Sequence, residues 1–136
     1  MRGDSGRLAV GAVLVTGRCA VLRVSGELDY DSERRFLEEA GAFVTQGRQH
    51  LVLDLTALSF CDSRGLNCLL ALEWLCRRQD GRLLLASAGT HTRRLLEQTG
   101  TDRTFACFPT VGHALAAVPA EHRPVWPPTA VAAGRG

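Results

Sequence analysis

Apolar residues along this chain fall into short runs separated by glycine-bearing breaks. Residues 8–16 and 19–25 are rich in Val, Leu and Ala, and Gly17-Arg18 between them reads as the turn of a β-hairpin. Gly26 closes the second run, and Glu27, Leu28 and Asp29 follow it. From Asp31 to Gln46 the period changes. Phe36, Leu37, Ala40, Phe43 and Val44 recur at helical spacing, Asp31 or Ser32 can cap the start, and Gly47 sits where a helix ends. "LVLDL" (51–55) is a continuous apolar run of strand length, as expected for a strand buried on both faces. A loop, "TALSFC", then leads to a helix over 64–79 that ends near Gly81. A strand over 82–87, an amphipathic helix over 91–100, a short strand over 104–108 and a helical piece over 111–118 complete the pattern. The order β-β-α-β-α-β-α-β-α predicts an α/β domain. Its single mixed sheet begins with the hairpin, continues as β-α repeats and is covered by about four helices.

Composition narrows the picture. A chain of 136 residues is expected to form one domain with a real core. That domain is expected to span residues 1–118. Residues 119–136 hold four of the five prolines and read as an extended, Pro/Ala-rich flexible tail, in which Trp126 either rests on its own domain or in solvent, or docks a partner. A net charge of +2 gives no basic surface for nucleic acid. All 16 basic residues are arginine, which excludes lysine Schiff-base chemistry and a lysine-bearing phosphate loop. The cysteines are Cys19, Cys61, Cys68, Cys76 and Cys107, an odd number without a C-x-x-C pair. They read as reduced, core-packed thiols of a cytoplasmic protein, not as a disulfide framework or zinc site. The four histidines lack ligand spacing, so no metal and no cofactor is expected. No apolar run approaches the roughly 18 residues of a membrane span. The Arg-Gly-Asp tripeptide at 2–4 reads as a chance match.

The chemistry-bearing stretch is "FCDSRGLNCLL" (60–70), where Asp62, Ser63, Arg64 and Gly65 interrupt an apolar sequence. Asp62 or Ser63 is placed to cap the following helix. Gly65 in the first turn is placed to let another backbone approach closely. The stretch is not a nucleophile elbow, because "CDSRG" lacks the first glycine of G-x-S-x-G and no histidine is placed to act as base. One glycine does not make a phosphate-cradling loop. A phosphoacceptor serine fits better. A hydroxyl at a helix start is accessible, the helix dipole favours a phosphate there, and Asp62 opposes it.

"LRVSGELDYDS" (22–32), "LVLDLTALSFCDSRGL" (51–66) and "RRLLEQTGTDRTF" (93–105), in this order and spacing, resemble the STAS domain of bacterial anti-sigma factor antagonists. The resemblance covers about residues 8–118. It implies a non-enzymatic regulator of sigma-factor-dependent transcription. Such a regulator binds an anti-sigma factor that is also a serine kinase, and phosphorylation switches it off. A phosphoserine phosphatase is the further partner implied. The phosphoacceptor of the family's aspartate–serine–small–glycine motif maps onto Ser63. The implied partner-binding surface comprises Gly26, Glu27, Leu28 and Asp29 with Asp62, Ser63, Arg64, Gly65 and Leu66. Arg64 departs from the family's small residue: it could pair with a phosphate on Ser63, select an acidic partner, or simply face solvent. The alternative function is a STAS scaffold or small-molecule or nucleotide-sensing module without a kinase cycle.

Overall fold

The computed structural model describes residues 7–128. The tripeptide at 2–4 and residues 129–136 lie outside them. Six strands and four helices follow in the order β1 (Ala9–Val15), β2 (Cys19–Leu28), α1 (Glu33–Thr45), β3 (His50–Asp54), β4 (Leu58–Cys61), α2 (Ser63–Arg78), β5 (Leu83–Ala86), α3 (Thr90–Thr99), β6 (Ala106–Phe108) and α4 (Val111–Ala116). The strands form one mixed sheet in the order β1-β2-β3-β5-β6, with β4 paired to β2. Only the β1–β2 hairpin is antiparallel; the other pairings are parallel. The "LVLDL" run is therefore central, as its unbroken apolar character predicts.

Strand pleat explains the two cores. Leu22, Val24, Leu51, Leu53, Leu83 and Leu85 point to one face, where α1, α2 and α3 cover them with Phe36, Leu69, Leu72 and Leu96. Val21, Val52, Leu84 and Ala86 alternate onto the other face, under Val111, Ala114 and Leu115 of α4. Each fully buried Leu or Phe contributes about 1.5–3 kcal/mol of transfer free energy. The larger cluster thus fixes how α2 sits on the sheet.

Two segments differ from the sequence expectation. "TALSFC" is not all loop: residues 58–61 form β4. Strand β2 is long enough to pair twice, with β3 along Cys19–Arg23 and with β4 along Gly26–Leu28. Between the two pairings the chain turns on Asp54, whose Oδ1 accepts from Thr56 N at 3.0 Å and Thr56 Oγ1 at 2.6 Å. Residues 119–128, expected as a flexible tail, lie on the α4 side of the sheet. A 3-10 turn spans Ala120–His122. Arg123 donates to the carbonyls of Val118 (2.9 Å) and Ala116 (3.1 Å). Pro124 is buried, and Trp126 packs on the α4 core beside Gly112. Proline density prevents a regular element here but not docking of an irregular one. The end of α1 follows the pattern closely: Gly47, at φ +105°, and Arg48 donate to the carbonyls of Val44 and Phe43, closing a Schellman motif.

Candidate functional site

The junction between β4 and α2 is built from the end of β2. Strand β4 runs beside Gly26–Leu28, and Ser59 Oγ donates to the Gly26 carbonyl at 2.9 Å. The Asp62 N–H then donates to the Leu28 carbonyl at 3.4 Å. Residues 26–29 and 61–65 are therefore hydrogen-bonded neighbours.

Asp62 is the N-cap. Its Oδ1 accepts the Gly65 N–H at 3.0 Å, satisfying a free donor of the first turn. Ser63 becomes the first helical residue and is exposed. Gly65 is buried against the chain's own β2. A Cβ there would collide with the Leu28 carbonyl oxygen and reach 3.0 Å from Cys61 Sγ. The close backbone approach expected of Gly65 is thus internal. Gly26, at φ +88°, is likewise buried, and a Cβ on it would strike the Arg7 carbonyl.

The nine expected site residues separate by exposure. Leu28 and Leu66 are core side chains, and Gly26 and Gly65 are buried. Glu27, Asp29 and Asp62 are half-buried, and Ser63 and Arg64 are exposed. Asp29 Oδ1 accepts from Asp31 N (3.1 Å) and Ser32 N (3.2 Å), which turns β2 into α1. Ser32 is the N-cap residue of α1, but its hydroxyl does not cap the helix. It donates to the Glu27 carbonyl at 2.9 Å and accepts from Asp29 N at 2.9 Å. Arg64 lies toward α1: its guanidinium is 3.9 Å from Glu33 and 4.9 Å from the centroid of the Tyr30 ring. At 55% side-chain exposure the Glu33 contact is loose and contributes at most about 1 kcal/mol.

Beneath the junction, burial pushes the Cys61 thiol up to about 12, with the Asp62 charge adding to the effect. Burial also raises Cys68 to about 11, helped by Glu33 and Asp62. These thiols stay protonated and inert as nucleophiles. Among the described residues no cluster of three metal-ligating side chains occurs, and no helix is long and apolar enough to cross a membrane.

Sequence reading missed several residues around the site. Phe60 and His91 stack with ring centroids 5.7 Å apart, joining β4 to α3. Glu73 is 2% exposed within an apolar helix. It accepts from Arg77 (3.0 Å), Arg82 (3.2 Å) and the Leu83 N–H (3.3 Å), tying α2 to β5. Trp74 is 57% exposed within an otherwise apolar stretch of α2.

A central parallel sheet flanked by an N-terminal hairpin strand, with a capped helix start presenting an exposed serine, defines a small α/β domain. The chain belongs to the STAS domain family, whose model matches residues 12–114. It is 34% identical over 99 residues to the anti-sigma-F factor antagonist RsfB of Mycobacterium tuberculosis, covering 73% of this chain and 80% of that protein. The crystal structure of an anti-sigma factor antagonist from Mycobacterium paratuberculosis superposes with a TM-score of 0.74 at 33% identity, over 83% of this chain and 95% of that one. The unphosphorylated form of SpoIIAA shares the fold, with a TM-score of 0.70 at 23% identity over 81% and 96% of the two chains.

Proposed function

We propose that this chain is an anti-sigma factor antagonist that is not itself an enzyme. It binds an anti-sigma factor with serine kinase activity in the bacterial cytoplasm, and phosphorylation of Ser63 by that kinase releases it. A phosphoserine phosphatase restores the binding form. The observation that carries this reading is the placement of Ser63: exposed, at the first position of α2, between a capping Asp62 and a buried Gly65. The names of relatives at 33–34% identity support the antagonist role.

The physical sequence is direct. The backbone around Ser63 is held by the Asp62 cap and the packing of Gly65, so the side chain projects to solvent from a fixed position. A phosphate there adds about −1.5 to −2 charges beside Asp62. The helix dipole returns only about 0.3–1 kcal/mol. Burying an unmatched charge under a partner costs several kcal/mol, and each 1.4 kcal/mol is about tenfold in affinity. Arg64 is engaged with Glu33 and Tyr30, so shielding of the phosphate requires it to leave both. The partner contacts of the surrounding motif fall to Ser63 and Arg64, with the edges of Glu27, Asp29 and Asp62. Gly26, Leu28, Gly65 and Leu66 set the backbone beneath them.

The test is phosphopeptide mapping after incubation with ATP and each kinase-type anti-sigma factor of the source genome. Phosphate on Ser63 supports the reading. Phosphate elsewhere, or none with any of them, refutes it.

One feature bears on the alternative, a small-molecule-sensing module. A cavity of about 400 Å³ lies at the carboxyl ends of β5 and β6, lined by Ser87, Ala88, Arg93, Cys107, Phe108 and Pro109. Open parallel sheets bind ligands at such ends. Saturable nucleotide binding lost in Arg93→Ala would favour that reading.

A further inference from the structure

Helix α2 presents an outward stripe that begins at Ser63 and continues down its whole length. At 100° per residue, Ser63, Asn67, Leu70, Trp74, Arg77 and Arg78 fall within an arc of about 100°, and the stripe is about 22 Å long. Its centre is apolar. Trp74 is 57% exposed, and Leu70 beside it is half-buried. Its far end is basic. The Arg78 guanidinium stands 4.8 Å from the centroid of the Trp74 ring, and Arg77 is 54% exposed. Arg64, at the near edge, adds a third cation. Glu73 is the one acid of the helix and is buried, so the exposed charged groups of α2 are all cationic; Arg77 is partly neutralised by its 3.0 Å pair with Glu73, and Arg78 carries the charge of the far end. The neighbouring α1 is mixed in sign, with an Arg35–Glu39 pair at 2.8 Å and Glu33 near Arg64.

Tryptophan and arginine are both among the residue types enriched in binding hot spots. The apolar face of Trp74 is exposed to water in the free chain, and nothing in the fold of the described residues requires it there. The charge of the stripe specifies the kind of occupant, because cationic surfaces are complemented by acidic ones.

We propose that the α2 stripe is the body of the docking surface, and that it receives an acidic face of the anti-sigma factor centred on an apolar pocket for Trp74. This rests on the antagonist reading above and extends it from the helix start to the full helix. It also explains the economy of the switch. The partner brings carboxylates to the stripe, and a phosphate at its first residue, beside Asp62, adds repulsion against them. Ser63 therefore controls the contact from one end, while Trp74 supplies affinity at the middle.

The experiment measures affinity and its salt dependence for the full chain with each kinase-type anti-sigma factor of the source genome, using whichever binds. Trp74→Ala should weaken binding about 30-fold or more, the size of a hot-spot loss. Arg78→Glu should weaken it about tenfold and flatten its dependence on salt. Both side chains are exposed, so thermal melts of the two variants should match the parent and exclude misfolding. If Ser63→Asp abolishes binding while Trp74→Ala and Arg78→Glu bind as the parent does, the stripe proposal is wrong and the antagonist reading stands. If no anti-sigma factor binds, the antagonist reading fails and takes the stripe with it. Sedimentation of the chain alone supplies the last arm. Dimers that dissolve on Trp74→Ala would assign the stripe to a second copy and overturn the acidic partner.

Discussion

Asp62 caps α2 by accepting the Gly65 N–H at 3.0 Å, and the same turn brings Gly65 against the Leu28 carbonyl at the end of β2. The position of Ser63 is thus fixed by one polar and one steric contact on either side of it. Asp62→Ala should cost about 0.5–2 kcal/mol, the usual loss of an N-cap. Gly65→Ala should cost at least about 1–3 kcal/mol, because the obstructing atom is backbone and cannot rotate away. Chemical denaturation of both variants checks the order. Equal stabilities would mean that the first turn can shift off β2.

Removing residues from Pro119 onward should destabilise the domain. A chain ending at Val118 loses the His122 contact to His50, the Arg123 bonds to Ala116 and Val118, and the Trp126 packing over Gly112. Compared with a chain ending at Pro128, its melting temperature should fall by more than about 4 °C, the shift for roughly 1 kcal/mol in a domain of this size. Coincident melts would show that this segment contributes no net stability.

His50 and His122 form a nitrogen–nitrogen contact of 3.1 Å, in which one ring must donate and the other accept. Burial holds the His50 pKa below its ordinary 6.5, and the charges of His122 and Arg18 lower it further. The folded state therefore binds fewer protons here than the unfolded chain. Its stabilising contribution is present above pH 6.5 and is lost as pH falls through the lowered folded value. Denaturant midpoints at pH 7.5 and 5.5 should differ in the parent and differ less in His50→Gln. An equal difference in both would assign the acid sensitivity to other groups.

The thiols should divide by burial. Cys19, Cys61, Cys68 and Cys76 are buried, and burial raises their pKa values to about 11 or 12; Cys107 is exposed. In native protein at pH 8 a thiol reagent should modify Cys107 first and leave the other four slow. Because the folded thiols hold protons that unfolded ones release above about 9, they also favour folding below that pH and lose this contribution as pH rises. Fast labelling of Cys61 or Cys68 would place the α2 junction in a loosely packed state.

Much of this fold was legible because period and punctuation agreed. The "LVLDL" run has no polar face to expose and must be central, and Gly47 and Gly100 mark helix ends where the structure has positive φ. Strand β4 was not legible. Its four residues alternate weakly, and its existence depends on β2 being long enough to pair twice. The docking of residues 119–128 was hidden for a similar reason, since a proline-rich segment carries no periodic signal for a groove it fills irregularly. At the site, Asp62 carried its capping role in its chemistry, and Gly65 announced a close backbone approach without showing that the approach is to β2. The burial of Leu66 and Leu28, and the exposure of Trp74, depend on which side of α2 meets the sheet. One apolar helix cannot reveal that alone.

The most direct test is the affinity of one purified anti-sigma factor for two forms of this chain, unmodified and stoichiometrically phosphorylated at Ser63. Phosphate should weaken binding by at least about tenfold, from desolvation and repulsion beside Asp62. Ser63→Ala should resist phosphorylation and remain bound in the presence of ATP. Equal affinity of the two forms, or release of Ser63→Ala by ATP, would contradict a switch at Ser63.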